Sequence, residues 1–112
     1  MIWNEISSID DVESIRQLSH TKYCIIFKHS TRCSISTMTL SKFERHWNED
    51  SDIQPYLLNL LQHRDVSTYI ADAFNIQHES PQVLLIKNGE CIYSESHNAI
   101  RFDEILDNIS EN

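Results

Sequence analysis

Tyr23-Cys24-Ile25-Ile26-Phe27-Lys28-His29-Ser30-Thr31-Arg32-Cys33-Ser34-Ile35-Ser36 is the stretch on which the fold turns. Its opening residues, Tyr23 to Phe27, form a short continuous apolar run rich in β-formers, and the polar cluster Lys28-His29-Ser30-Thr31 ends it. Such a run reads as a strand buried on both faces and central in its sheet. From about Cys33 to Trp47 the apolar residues Ile35, Met38, Phe43 and Trp47 mark one face of a helix, which stops at Asn48-Glu49-Asp50-Ser51. Tyr56-Leu57-Leu58-Asn59-Leu60-Leu61 is the next strand candidate, although its lack of β-branched residues leaves a helical reading open. Strand, helix and strand in that order make a β-α-β unit, which requires a parallel crossover.

Working outward, Ser8-Ile9-Asp10-Asp11 has the form of an N-capping box, and Ile9, Val12, Ile15 and Leu18 recur behind it near helical spacing. Downstream, Asp65 is placed to cap a helix carrying Val66, Tyr69, Ile70, Ala73 and Phe74, which stops before Ser80-Pro81. Val83-Leu84-Leu85-Ile86 and Cys91-Ile92-Tyr93 flank Asn88-Gly89, the pair favoured in a two-residue type I′ hairpin. Phe102, Ile105, Leu106 and Ile109 form the stripe of a last helix with Asp103 and Glu104 in its first turn. The expected architecture is α/β: a mixed four-stranded sheet, built from a parallel β-α-β unit plus an antiparallel hairpin, with helices on its faces. No repeat or low-complexity linker interrupts it, so residues 1–112 read as one domain.

A chain of 112 residues can bury a core without a disulfide or metal staple, and 40% hydrophobic against 23% charged residues is ordinary globular composition. Nine Lys and Arg against seventeen Asp and Glu leave a net charge of -8, which argues against nucleic acid and anionic membrane surfaces as partners. The start Met1-Ile2-Trp3-Asn4-Glu5 has no cationic segment followed by an apolar run, and no stretch approaches membrane-spanning length. Three cysteines are an odd count with no secreted-framework spacing, so a reducing, cytoplasmic compartment is expected.

Cys33 follows a buried strand and opens an amphipathic helix, beside unpaired backbone N–H groups and the positive end of the helix dipole, a setting that favours a thiolate. It is the expected nucleophile, with Lys28, His29 and Arg32 close in sequence. Cys24 lies inside the apolar strand and reads as an inert core residue. Cys91, in the hairpin, reads as structural, with a distant resolving role as the alternative. Ser36 stands three residues after Cys33, so Cys-x-x-Ser replaces Cys-x-x-Cys and no internal disulfide between these two positions is possible. A serine there either donates a hydrogen bond to the thiolate or satisfies local backbone groups. Pro81 at a strand entrance would hold backbone for pairing with a peptide if its bond is cis, while Pro55 reads as a strand-entry or edge proline. His29 is either a proton-transfer group or a solvated loop histidine. His20, His29, His46, His63, His78 and His97 show no zinc-ligand spacing with the cysteines, so no metal is expected.

The segment from Phe27 to Ser36, together with Ser80-Pro81-Gln82-Val83-Leu84-Leu85-Ile86-Lys87-Asn88-Gly89-Glu90, resembles the monothiol bacilliredoxin-like family of the thioredoxin superfamily. The resemblance covers nearly the whole chain and implies a thioredoxin-like fold and a bacillithiol-associated, stress-related redox role. It makes Cys33 the nucleophile with Ser36 beside it, Pro81 the cis-proline facing it, and Ser80 the residue whose backbone meets the substrate. Thr31 and Arg32 join Ser80 and Pro81 as expected substrate contacts. It also implies thiolated proteins as partners and bacillithiol as a thiol cosubstrate, with no tightly bound cofactor. The function expected is therefore monothiol thiol–disulfide exchange through Cys33. Two alternatives compete: an iron–sulfur-binding module of monothiol glutaredoxin type, whose loop carries Gly-Phe where this chain has Ser34-Ile35, and a redox-inactive interaction domain.

Overall fold

The computed structural model describes residues 1–110. The elements run β1 (Asn4–Glu5), α1 (Ile9–Leu18), β2 (Tyr23–His29), α2 (Ser34–His46), β3 (Ile53–Asn59), α3 (Arg64–Ala73), β4 (Gln82–Lys87), β5 (Glu90–Ser96), a 3₁₀ turn (His97–Ala99) and α4 (Phe102–Ser110). They build one sheet in the order β1-β3-β2-β4-β5, with β1, β3 and β2 parallel and β4 and β5 antiparallel to their neighbours. The sheet has five strands rather than the four expected. The extra one, β1, is two exposed residues that pair Asn4 with Tyr56 and Glu5 with Leu57, too short to show an alternation. No helix among the described residues is long and apolar enough to cross a membrane.

β2 is central, as its apolar run implies, and its residues divide two cores. Cys24 and Ile26 join Leu84 and Ile86 beneath α1 and α3, while Ile25 and Phe27 join Val83 and Leu85 beneath α2 and α4. The strand does not stop at Phe27: Lys28 and His29 continue the register with Leu58 and Asn59 and are themselves buried. Both edges of β2 remain paired through Lys28, so the ladder carries polar side chains inward that composition alone would put in a loop.

α2 has a different phase from the one expected. Ile35 and Met38 are 49% and 72% exposed, and the inward stripe is Ser36, Thr39, Leu40, Phe43 and Trp47. At 3.6 residues per turn Met38 stands about 140° round the axis from Phe43. Phe43 sets the phase because Trp3, Phe27, Trp47 and Phe102 all pack on its ring. α3 is capped by His63, without a side-chain bond, and Asp65 lies in the first turn, where its charge complements the helix dipole but is not the cap.

The local signals at the other ends hold. Ser8 Oγ accepts the Asp11 N–H at 3.2 Å, while the Asp11 carboxylate accepts from Ser7 N at 2.8 Å, and these bonds hold its carboxyl below the usual carboxylate range. Asn88 and Gly89 both have positive φ, 54° and 77°, as a type I′ turn requires. The end of α1 grips that turn: Asn88 N–H donates to Ser19 O and Gly89 N–H to Ser19 Oγ, each at 2.8 Å.

Candidate functional site

The C-terminal ends of β2 and β3 and the N-terminal end of β4 meet at one edge of the sheet. Leu60 N–H donates to His29 O at 3.0 Å, tying the ends of the parallel strands together. The chain then turns, with Cys33 N–H donating to Ser30 O at 3.2 Å, and enters α2. Cys33 is the N-cap of this 13-residue helix, half-buried and in extended backbone, with its carbonyl accepting the Thr37 N–H at 3.1 Å. Its side chain makes no capping bond, and the first turn of α2 carries no acidic residue. The position sets the thiol at the start of the helix, where the first-turn backbone donors have no carboxylate of the same turn beside them.

Ser36 is fully buried one turn into α2. Its Oγ accepts the Ser30 N–H at 3.0 Å and is bonded to His29 Nδ1 at 2.7 Å. It therefore pins the turn before Cys33 to the end of β2, with no bond to the thiol. His29 is not a solvated loop residue: it closes β2 from within, and burial pushes its pKa down, which keeps the ring neutral. Thr31 and Arg32 are exposed on the turn and make no hydrogen bond or ion pair among the described residues.

On the facing strand the Ser80–Pro81 bond is cis. The pairs Phe27 with Val83 and Lys28 with Gln82, continued by one residue, set Pro81 opposite His29. The Ser80–Pro81 segment thus lies at the same sheet edge as the Cys33 turn. Pro81 O accepts the His97 N–H at 2.9 Å, and Ser80 Oγ is buried without a partner.

The remaining cysteines are elsewhere. Cys24 and Cys91 each pair with Ile86 across the sheet, so β4 separates them by two strand spacings, about 9.6 Å, beyond the Cα separation a disulfide spans. Both lie toward the opposite end of the sheet, since the five residue steps from Cys24 to His29 alone take up roughly 16 Å. Burial pushes each thiol up to about 11. A resolving role for Cys91 toward Cys33 is excluded within one chain by this separation. Pro55 is the third residue of β3, opposite Ile25, at the end of that strand lying beyond its short pairing with β1.

Lys28 and Gln82 are functional candidates that hydropathy hides. They face each other across β2 and β4, both buried, on the side of the sheet under α3. Burial lowers Lys28 to about 8. The signal available in the sequence was a lysine directly continuing an apolar central run.

One helix-start thiol beside a cis-proline strand, on a five-stranded mixed sheet flanked by helices, defines the thioredoxin-fold class. The chain belongs to the family described as monothiol bacilliredoxin BrxC, whose model matches residues 4–105. It is similar to a solved structure described as a thioredoxin fold with a proposed oxidoreductase role, at 34% identity and a TM-score of 0.81, over 94% of this chain and 91% of that one. Thioredoxin from Malassezia sympodialis shares the fold at 20% identity and a TM-score of 0.71, over 97% of this chain and 90% of that one. Fasciola hepatica thioredoxin does so at 13% identity and a TM-score of 0.73, over 97% and 99% of the two chains. Thiol redox chemistry is the function this membership indicates.

Proposed function

We propose that this protein is a monothiol thiol–disulfide oxidoreductase that exchanges bacillithiol and protein mixed disulfides through Cys33. The observation that carries the reading is the isolation of this thiol: Cys33 caps α2 at the sheet edge, serine stands where a dithiol enzyme has its second cysteine, and the other two cysteines, Cys24 buried and Cys91 partly buried, are remote with thiols pushed up by burial. Cys33 thiolate attacks one sulfur of a protein–bacillithiol disulfide, forming a Cys33–bacillithiol disulfide and releasing the protein as a thiolate, which takes up a proton. A second bacillithiol thiolate attacks that adduct, leaving oxidised bacillithiol and restoring Cys33. The net exchange oxidises one free bacillithiol thiol as the protein sulfur is reduced, the other half of the oxidised bacillithiol having come from the mixed disulfide, so no second protein cysteine takes part. Ser36 acts by holding the turn, Thr31 and Arg32 flank the incoming disulfide, and the Ser80–Pro81 backbone lies alongside it. The chemistry suits a reducing, cytoplasmic compartment.

The test is intact-mass analysis after incubation with a bacillithiolated protein. The expected result is release of the reduced protein with a transient bacillithiol adduct confined to Cys33 and absent in Cys33→Ala. No adduct, or one on Cys24 or Cys91, overturns the reading. A visible chromophore after anaerobic iron and sulfide reconstitution, lost in the same variant, would favour cluster binding instead.

A further inference from the structure

The segment that delivers Ser80–Pro81 to the site has little scaffolding of its own. After α3 the chain passes through Asn75, at φ 53°, and Ile76 N–H bonds back to Ala71 O. From Gln77 to Ser80 no residue makes a backbone–backbone hydrogen bond among the described residues. What grips these residues comes chiefly from two buried side chains. Gln82 Nε2 donates to Gln77 O at 3.0 Å, and its Oε1 accepts the Glu79 N–H at 3.4 Å. Lys28 Nζ donates to His78 Nδ1 at 3.2 Å and to Ser67 O on α3 at 3.2 Å. The Glu79 carboxylate adds a bond from Ser96 Oγ on β5.

Lys28 is 0% and Gln82 3% exposed, and Lys28 has no carboxylate partner among the described residues. Burying an ammonium without a counter-charge is expensive, and an apolar side chain of like size would fill this place at less cost. Its three protons have no acceptor role, so His78 must accept at Nδ1 and carry its own proton on Nε2.

We propose that Lys28 and Gln82 are positioning residues: a buried cross-strand pair that holds residues 77–79 and, through them, sets the Ser80–Pro81 backbone against which a disulfide-bearing protein segment lies beside Cys33. The proposal rests on the reading of Cys33 as the reacting thiol. It assigns the pair to binding of the protein partner, not to the reactivity of the sulfur. It also makes the segment sensitive to acid. Facing His78 are Lys28 from β2, Ser67 from α3, whose Oγ lies 3.3 Å from Nδ1, and Glu79 beside it. A proton on Nδ1 would point at the Lys28 ammonium, so His78 must leave when it is charged.

The Glu79 amide, bonded only to the Gln82 side chain, is the local reporter. In Lys28→Met and in Gln82→Met its hydrogen exchange is expected to rise about tenfold, with β2 amides unchanged. With a bacillithiolated protein as substrate, KM is expected to rise about tenfold at unchanged kcat, and alkylation of Cys33 by iodoacetamide to stay at the wild-type rate. Acidifying the wild type below the ordinary histidine range should loosen Glu79 after correction for intrinsic exchange, a step that Lys28→Met lacks. Wild-type Glu79 protection in both variants overturns the brace. Loosened Glu79 with an unchanged KM overturns its positioning role. Loosened Glu79 with no turnover even in the wild type leaves the brace standing and removes the exchange reading instead. If Lys28→Met fails to fold, Gln82→Met and the wild-type acid step decide alone.

Discussion

Cys24 is enclosed in β2 and Cys91 packs against the same core, and burial lifts both thiols from 9.0 to about 11. At pH about 8 each is then roughly one part in a thousand thiolate, too little to compete for a reagent. Iodoacetamide applied to the folded protein at that pH should add one group, on Cys33, and three after unfolding, as mass mapping would show. A second adduct on the folded protein would contradict the burial of these thiols. Ser36 is the other residue whose role is set by its bonds. Its hydroxyl serves the Ser30 N–H and His29 Nδ1, so Ser36→Ala orphans one partly buried amide and one buried ring that burial keeps neutral. The expected loss is about 1–3 kcal/mol in urea unfolding. A loss near zero would mean that water or a shifted backbone replaces the serine. Of the two roles its spacing allowed, the bonds seen belong to satisfying the loop, a distinction that spacing cannot make because it depends on which way the side chain turns.

Among the elements, legibility followed locality. The Asn88-Gly89 turn and the Ser8 cap could be read because their signals lie within a few residues and require particular backbone angles. The phase of α2 could not. Ile35 and Met38 are the apolar residues of its first turns, yet the face that packs carries the small polar residues Ser36 and Thr39 there, with Ser36 bonded to the end of β2. What decides the phase is the aromatic cluster round Phe43, drawn from β2, α4 and the N-terminal segment, and no local pattern contains it. The same applies to β1, whose two residues become a strand only through β3. The phase is open to test by a pair of substitutions. Met38→Gln should move the urea stability by no more than about 0.5 kcal/mol, whereas Phe43→Ala should cost about 3–5 kcal/mol. Equal costs at the two positions would return the helix to the face its apolar residues suggest. With Ile35 and Met38 outward, two exposed apolar side chains stand within two turns of Cys33.

For the whole molecule, the buried ionisable groups set how stability depends on pH. Lys28 is lowered from 10.5 to about 8, so between those values the unfolded chain binds more protons than the folded one, and stability rises with pH through that window. The full gap corresponds to about 3 kcal/mol withheld at neutral pH. Cys24 and Cys91 act in the opposite sense. Their folded values lie above 9.0, so the unfolded chain gives up its protons first and stability falls as pH climbs from about 9 toward 11. His29 and His78 are both held below 6.5 by burial, so stability is also lost as pH falls beneath that value. Urea midpoints taken across this range should therefore peak near pH 9, and the limb rising from about pH 7.5 should vanish in Lys28→Met. That variant should exceed the wild type at pH 7 by about 1–3 kcal/mol, because a buried ammonium is exchanged for an apolar side chain of similar length. A wild type with no rise between pH 7.5 and 9 would mean that the amine reaches water, and with it the brace beneath residues 77–79 would lose its physical basis. A rise abolished by a substitution that strengthens the fold would separate the two uses of position 28. The lysine would then work against stability, and its contribution would lie in where it holds the segment leading to Pro81.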